Sequence, residues 1–397
     1  MKTRLRKGIY MKKSILFVIL SFFISFCSCS DADNYPIRDS TASYAEDFSE
    51  TEADVTEETT ENVPEEPDHA EEILNKMSVK EKIGQVILAR YPESPAEQAE
   101  QYRFGGYTLY AKDLENETPA SLAEKLSEIN AASAVPMFFA ADEEGGTVVR
   151  VSKYSAFAER PLPSVQKVLA EGGSIAAWTD EIADDLRNAG INLDLAPVAD
   201  VAESETDYIY SRTCGLGYTE TGEVIAEIVK GLNSRGILSC LKHFPGYGSN
   251  VDTHTGIAFD SRTAESFENG DLIPFLYGIE AGAPMIMVNH NIIEAYDPDV
   301  PASLSPEVHK VLRGLGFEGI IVTDDLGMDA ISLYTDNPYS AAFLAGNDLL
   351  CVSDGAACFD ALYEAFQSGD ITGERLNESV LRIIRAKLEY GIIEPLG

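Results

Sequence analysis

Basic side chains are scarce in this chain. Its 397 residues hold 30 Lys and Arg against 66 Asp and Glu, a net charge of −36. Phosphate backbones need clustered Lys and Arg, so nucleic acid is excluded as a partner. Cysteine is sparse too. There are six, and no C-x-x-C pair occurs, which leaves no disulfide framework and no structural zinc site. The apolar run "SILFVILSFFISF" covers 13 residues, too short for a comfortable membrane span. No G-x-G-x-x-G follows the first strand-like run, which counts against a dinucleotide-binding open sheet.

What is present divides the chain into three parts. Residues 1–30 begin with the basic stretch "MKTRLRKGIYMKK", continue through the apolar run and end in "CSCS". This reads as a signal peptide, with Met1 or Met11 as the start. Ser28 before Cys29 resembles a bacterial lipobox, which predicts a lipidated Cys29 and a membrane anchor. Residues 31–70 hold fourteen acidic side chains against one arginine and few large aliphatics. Such a segment buries too little to offset chain entropy and is read as a disordered linker. Six positive charges in 1–30 and a net −13 in 31–70 leave −29 for residues 71–397. An acidic body suits an exported, extracytoplasmic protein that stays soluble and monomeric. Cys214, Cys240, Cys351 and Cys358 lie in or near apolar stretches and read as packing thiols.

From residue 71 onward, apolar runs alternate with amphipathic segments. The runs are 83–90, 105–111, 135–144, 192–201, 238–244, 284–291, 319–325 and 347–353. Each is continuous rather than alternating, as parallel strands covered on both faces require. Between them, "TPASLAEKLSEINAA", "TETGEVIAEIVKGLNSRG" and "SPEVHKVLRGLG" read as helices. Eight strand–helix units predict an α/β fold of the (β/α)8 TIM-barrel type, forming one catalytic domain over 71–397.

In such a barrel the chemistry sits at the C-terminal ends of the strands. The third run ends in Asp142, Glu143 and Glu144. The fifth ends in Lys242 and His243, the sixth in Asn289, His290 and Asn291, and the seventh in Asp324 and Asp325. Each has a plain reading: an acidic strand end caps a helix, and a lone His290 is more often a satisfied core histidine. Lys242 is harder to dismiss, because a lysine in a buried strand needs an anionic or polar partner. Four strands delivering polar groups to one rim predict one pocket. Beyond the fifth strand, Asp252 and His254 stand two apart in a glycine-rich loop. A carboxylate there can bond one ring nitrogen and leave the other to handle protons.

The segments "ADEEGGTVVR", "DLAPVADV", "KHFPGYGSNVDTH", "MVNHNIIEAYDPDVPASLS" and "GFEGIIVTDDLGMDAI" occur in order over about residues 70–395. Together they resemble glycoside hydrolase family 3, and within it the single-barrel β-N-acetylglucosaminidases. The resemblance implies Asp324 as nucleophile, His254 as general acid/base and Asp252 as its partner. It also implies that Asp142, Arg150, Arg212, Lys242 and His243 hold the sugar's hydroxyls. Tyr247 stands where many members have histidine, and Thr147 where many have arginine. The loop from His243 to Asp252 is one residue shorter than the commonest pattern. The implied activity is retaining hydrolysis of terminal β-linked N-acetylglucosamine, from peptidoglycan or chitin-type fragments, with no metal and no organic cofactor. The same barrel acting on β-glucosides or β-xylosides, transfer to phosphate, and a non-catalytic sugar-binding lipoprotein are the alternatives. Family members of the first kind take their acid/base from a second domain, for which this chain leaves no room, whereas it has the loop pair.

Overall fold

The computed structural model describes residues 68–250 and 256–395. The signal peptide with Cys29, nearly all of the acidic linker, and both Asp252 and His254 lie outside the described residues.

Each of the eight apolar runs holds a strand. These are β1 (Ile87–Arg90), β2 (Gly106–Thr108), β3 (Phe138–Ala141), β4 (Leu193–Asp194), β5 (Leu238–Phe244), β6 (Met285–Val288), β7 (Ile320–Thr323) and β8 (Leu350–Val352). Every pairing between neighbours is parallel, in the order β8-β1-β2-β3-β4-β5-β6-β7. A parallel bridge from Val322 to Leu349 joins β7 to the approach of β8. The sheet therefore closes on itself as a (β/α)8 barrel. All of the strand residues except Arg90 are buried, because barrel-filling side chains cover one face and helices the other.

The helices form where local signals and one apolar stripe agree. Pro119–Ala132 starts at Thr118, whose hydroxyl accepts the Ser121 N–H at 3.2 Å, with proline in the first turn. Tyr218–Ser234 buries Val224, Ile225, Ile228, Val229 and Leu232, a helical three–four spacing. Leu272–Glu280 approaches it closely, since a Cβ on Gly222 would stand 2.8 Å from Tyr277 Cγ. Gly236, at φ +72°, ends Tyr218–Ser234 in the left-handed region, as the sequence pattern predicts.

β5 departs from regular pairing. Its register against β6 shifts between Leu241 and Phe244, and the Lys242–His243 peptide bond there is cis. In a regular strand, successive side chains point to opposite faces. Where the register shifts, the consecutive Lys242 and His243 both line the same cavity. Cys214, Cys240, Cys351 and Cys358 are buried thiols with no disulfide.

Candidate active site

At the C-terminal ends of the strands lies a cavity of about 470 Å³. Asp142, Arg150, Arg212, Lys242, His243 and Asp324 all line it, so six of the eight residues expected from the sequence converge. The other two, Asp252 and His254, lie outside the described residues. A cavity of about 540 Å³ opens at the opposite rim, beside Pro284, Gly319 and Ile320, where β6 and β7 begin. No strand C-terminus delivers a polar group to it, and barrel chemistry belongs to the other face.

The cavity wall is a continuous hydrogen-bonded chain of charged groups. Arg150 donates to Asp142 Oδ2 at 3.2 Å, and Lys242 Nζ donates to Asp142 Oδ1 at 2.8 Å. The same ammonium lies 2.6 Å from Glu144 Oε1. Arg212 grips Glu144 through two bonds of 2.8 Å, from Nε to Oε2 and from Nη2 to Oε1. Arg212 also donates to His243 Nε2 at 3.2 Å, and His243 Nδ1 lies 2.6 Å from Asp200 Oδ2. Lys242, only 2% exposed, thus finds the anionic partners that its place in the strand required.

These neighbours shift one another's protonation. Burial pushes Asp142 upward, but Lys242 and Arg150 outweigh it and hold the carboxyl below its ordinary value. Burial acts on Glu144 in the same sense, and Lys242 and Arg212 bring it down to about 2. Burial alone would lower Lys242, yet Asp142 and Glu144 hold it above the ordinary lysine value. All three groups are therefore ionised at neutral pH.

Beneath the wall are acids that bear no cavity role. Glu143 points away and accepts the backbone N–H groups of Arg150, Val151 and Ser152 at 2.8, 2.8 and 3.2 Å. Asp194 accepts the Glu143 N–H at 3.0 Å, and burial raises its carboxyl well above the ordinary range.

Asp324 follows β7 directly. Its Oδ1 accepts the Asp325 N–H at 2.8 Å, and its own N–H donates to the Val288 carbonyl at 3.0 Å. Asp325 in turn accepts the Ser353 hydroxyl at 2.8 Å. Its carbonyl accepts from His290 Nε2 at 3.0 Å, and His290 Nδ1 meets the Ser303 hydroxyl at 2.7 Å. His290 is a satisfied interior histidine, held behind the Asp324–Asp325 turn. Thr147 lines the cavity, whereas the Tyr247 ring is buried edge-on to His243 at a centroid distance of 5.6 Å.

Sequence reading placed Glu144 at the rim without a role and missed Asp200. Both had a signal. Glu144 is two residues from Asp142, and alternation puts such a pair on one side. Asp200 is a lone acid in the apolar run "LAPVADV", where a charge needs partners. No group of three or more His, Cys, Asp or Glu among the described residues could hold a metal ion.

The arrangement can bind a polyhydroxylated ring beside a fixed carboxylate. Residues 78–386 match the family description "Glycosyl hydrolase family 3 N terminal domain". The chain is 34% identical over 238 residues to a beta-hexosaminidase of Xanthomonas campestris pv. campestris, covering 57% of this chain and 69% of that protein. It is 29% identical over 337 residues to beta-hexosaminidase A of Pseudoalteromonas piscicida, covering 76% of this chain and 56% of that protein. A solved glycoside hydrolase family 3 β-N-acetylglucosaminidase from a Paenibacillus species superposes with a TM-score of 0.75 at 29% identity. That match takes in 80% of this chain and 63% of the other. The chain therefore belongs to glycosyl hydrolase family 3 and is a glycoside hydrolase.

Proposed function

We propose that the protein is a retaining β-N-acetylhexosaminidase that removes terminal β-linked N-acetylglucosamine. The observation that carries this reading is the position of Asp324 on the same cavity as the Arg150–Asp142–Lys242–Glu144–Arg212–His243 chain. Asp324, with Oδ1 set by the Asp325 N–H, attacks the anomeric carbon and forms a glycosyl-enzyme. His254 protonates the departing oxygen and then takes a proton from the incoming water, with Asp252 orienting its ring. The ionised Asp142, Lys242 and Arg150 hold ring hydroxyls, so binding fixes the reacting carbon beside the carboxylate. The hexosaminidase names of the Xanthomonas and Pseudoalteromonas relatives support the choice of sugar. The basic, apolar and cysteine-containing start of the chain supports export and anchoring through Cys29, with cell-wall or chitin-type fragments as substrate.

The test is turnover of 4-nitrophenyl β-N-acetylglucosaminide by the wild type and by Asp324→Asn, with the products followed by NMR, with and without phosphate. The wild type should release the β-anomer of N-acetylglucosamine and Asp324→Asn should release none. An active Asp324→Asn, or an initial α-product, would remove the nucleophile. Faster release from the matching glucoside would correct the sugar, and a sugar 1-phosphate product would replace hydrolysis by phosphorolysis.

A further inference from the structure

The buried carboxylate of Asp200 does more than fill space behind the cavity. It is 1% exposed, and its two oxygens face three N–H donors. Oδ2 takes the His243 backbone N–H at 3.1 Å and lies 2.6 Å from His243 Nδ1. Oδ1 takes the Tyr247 N–H at 2.7 Å. Both oxygens already accept backbone N–H groups, so Asp200 serves as the acceptor and His243 Nδ1 carries the proton of that bond. On the other side of the ring, Arg212 Nη2 stands 3.2 Å from Nε2. A guanidinium can only donate, so Nε2 has no proton. The two contacts select the tautomer with its proton on Nδ1. Asn289 Nδ2 fixes the same residue's carbonyl at 3.2 Å.

We infer that Asp200 is a positioning residue for sugar recognition: through His243 it turns an imidazole lone pair toward the cavity beside the Arg212 guanidinium. This rests on the glycosidase reading above. The pair offers one acceptor and one donor at adjacent points. A hydroxyl satisfies both, because it donates to Nε2 while accepting from Arg212. An ammonium or a methylene cannot. In the opposite tautomer, an Nε2–H would face the Arg212 N–H, and the site would offer donors only. The long 3.2 Å contact between Arg212 and Nε2 is the bond that such a hydroxyl would replace.

The chain has only five histidines, so selective ¹⁵N labelling of the imidazoles resolves the tautomer directly. The His243 signals are those lost in His243→Gln. In the wild type they should report Nδ1–H with a bare Nε2. Asp200→Asn supplies one acceptor oxygen where two stood, so it should move His243 toward Nε2–H. With an unchanged melting midpoint, it should lower kcat/KM on the aryl N-acetylglucosaminide by about tenfold or more, mainly through KM. A wild-type His243 that carries its proton on Nε2, or on both nitrogens, overturns the inference. So does Asp200→Asn with full kcat/KM, or with a large loss and an unmoved tautomer. If Asp200→Asn does not fold, the wild-type spectrum alone decides. A wild type that is inactive on the aryl substrate would sink the functional reading instead, and titration of N-acetylglucosamine against the His243 signals would still test the tautomer's role in binding.

Discussion

Replacing Glu144 by glutamine removes one charge from the cavity wall while keeping the side chain's size and shape. In the folded protein, Lys242 and Arg212 overcome burial and hold Glu144 at about 2, against an ordinary 4.5. A folded value below the unfolded one means the carboxylate stabilises the fold above the unfolded value and loses that contribution as pH falls through the folded one. The drop from 4.5 to about 2 is worth about 3 kcal/mol at neutral pH. At pH 3, one pH unit above the folded value, about 1.4 kcal/mol of it remains. Glu144→Gln also leaves Lys242 and Arg212 facing an amide, so the full loss at pH 7 is at least about 3 kcal/mol. Urea unfolding of both proteins at pH 7 and pH 3 measures the two differences. The gap between wild type and variant should narrow by about 2 kcal/mol on going to pH 3. A gap that stays constant, or one under about 1 kcal/mol at pH 7, would refute the account of Glu144 as an ionised, doubly paired group.

Two further substitutions test the same reasoning elsewhere. Lys387 is fully buried among neutral partners, with Nζ 2.9 Å from both Gln85 Oε1 and the Gly105 carbonyl, and burial lowers it to about 7 from 10.5. In Lys387→Met, stability relative to the wild type should therefore grow as pH drops from 10.5 to 7 and level off below, as read by urea midpoints; a flat or reversed trend contradicts it. Asp194 is raised by burial, so the wild type loses stability as pH climbs above 3.8, whereas Asp194→Asn keeps the bond to the Glu143 N–H without a charge. Thermal midpoints at pH 7 should show Asp194→Asn at least as stable as the wild type; a variant less stable by over about 1 kcal/mol would mean that the carboxylate is ionised.

The barrel was legible because its strands are continuous apolar runs, as parallel strands covered on both faces require, and because no G-x-G-x-x-G follows the first run, which counted against the open sheet that would bury such runs as well. Lys242 was legible for the complementary reason, since a cation inside an apolar run announces anionic partners. The identity of those partners was harder to read. "DEEGG" offers three acids in a row, and only the path of the chain after β3 separates them. Asp142 and Glu144 turn to the cavity, while Glu143 turns back to bind three backbone N–H groups. Asp200 stayed hidden because its partner, His243, is 43 residues distant along the chain. The joint use of Lys242 and His243 also ran against strand alternation, and the shift of register in β5 explains why both reach the cavity. The Asp252–His254 pair, prominent in the sequence, lies outside the described residues.

The cation that joins Asp142 to Glu144 is supplied by a residue about a hundred positions later, on a strand that is not adjacent to theirs. Until that strand docks, the two acids repel each other and prefer water to enclosure. A chain that stops short of β5 still has Arg150 for Asp142 and Arg212 for Glu144, but it lacks the one cation that ties the two acids to each other, so closing the pocket waits on the second half of the barrel.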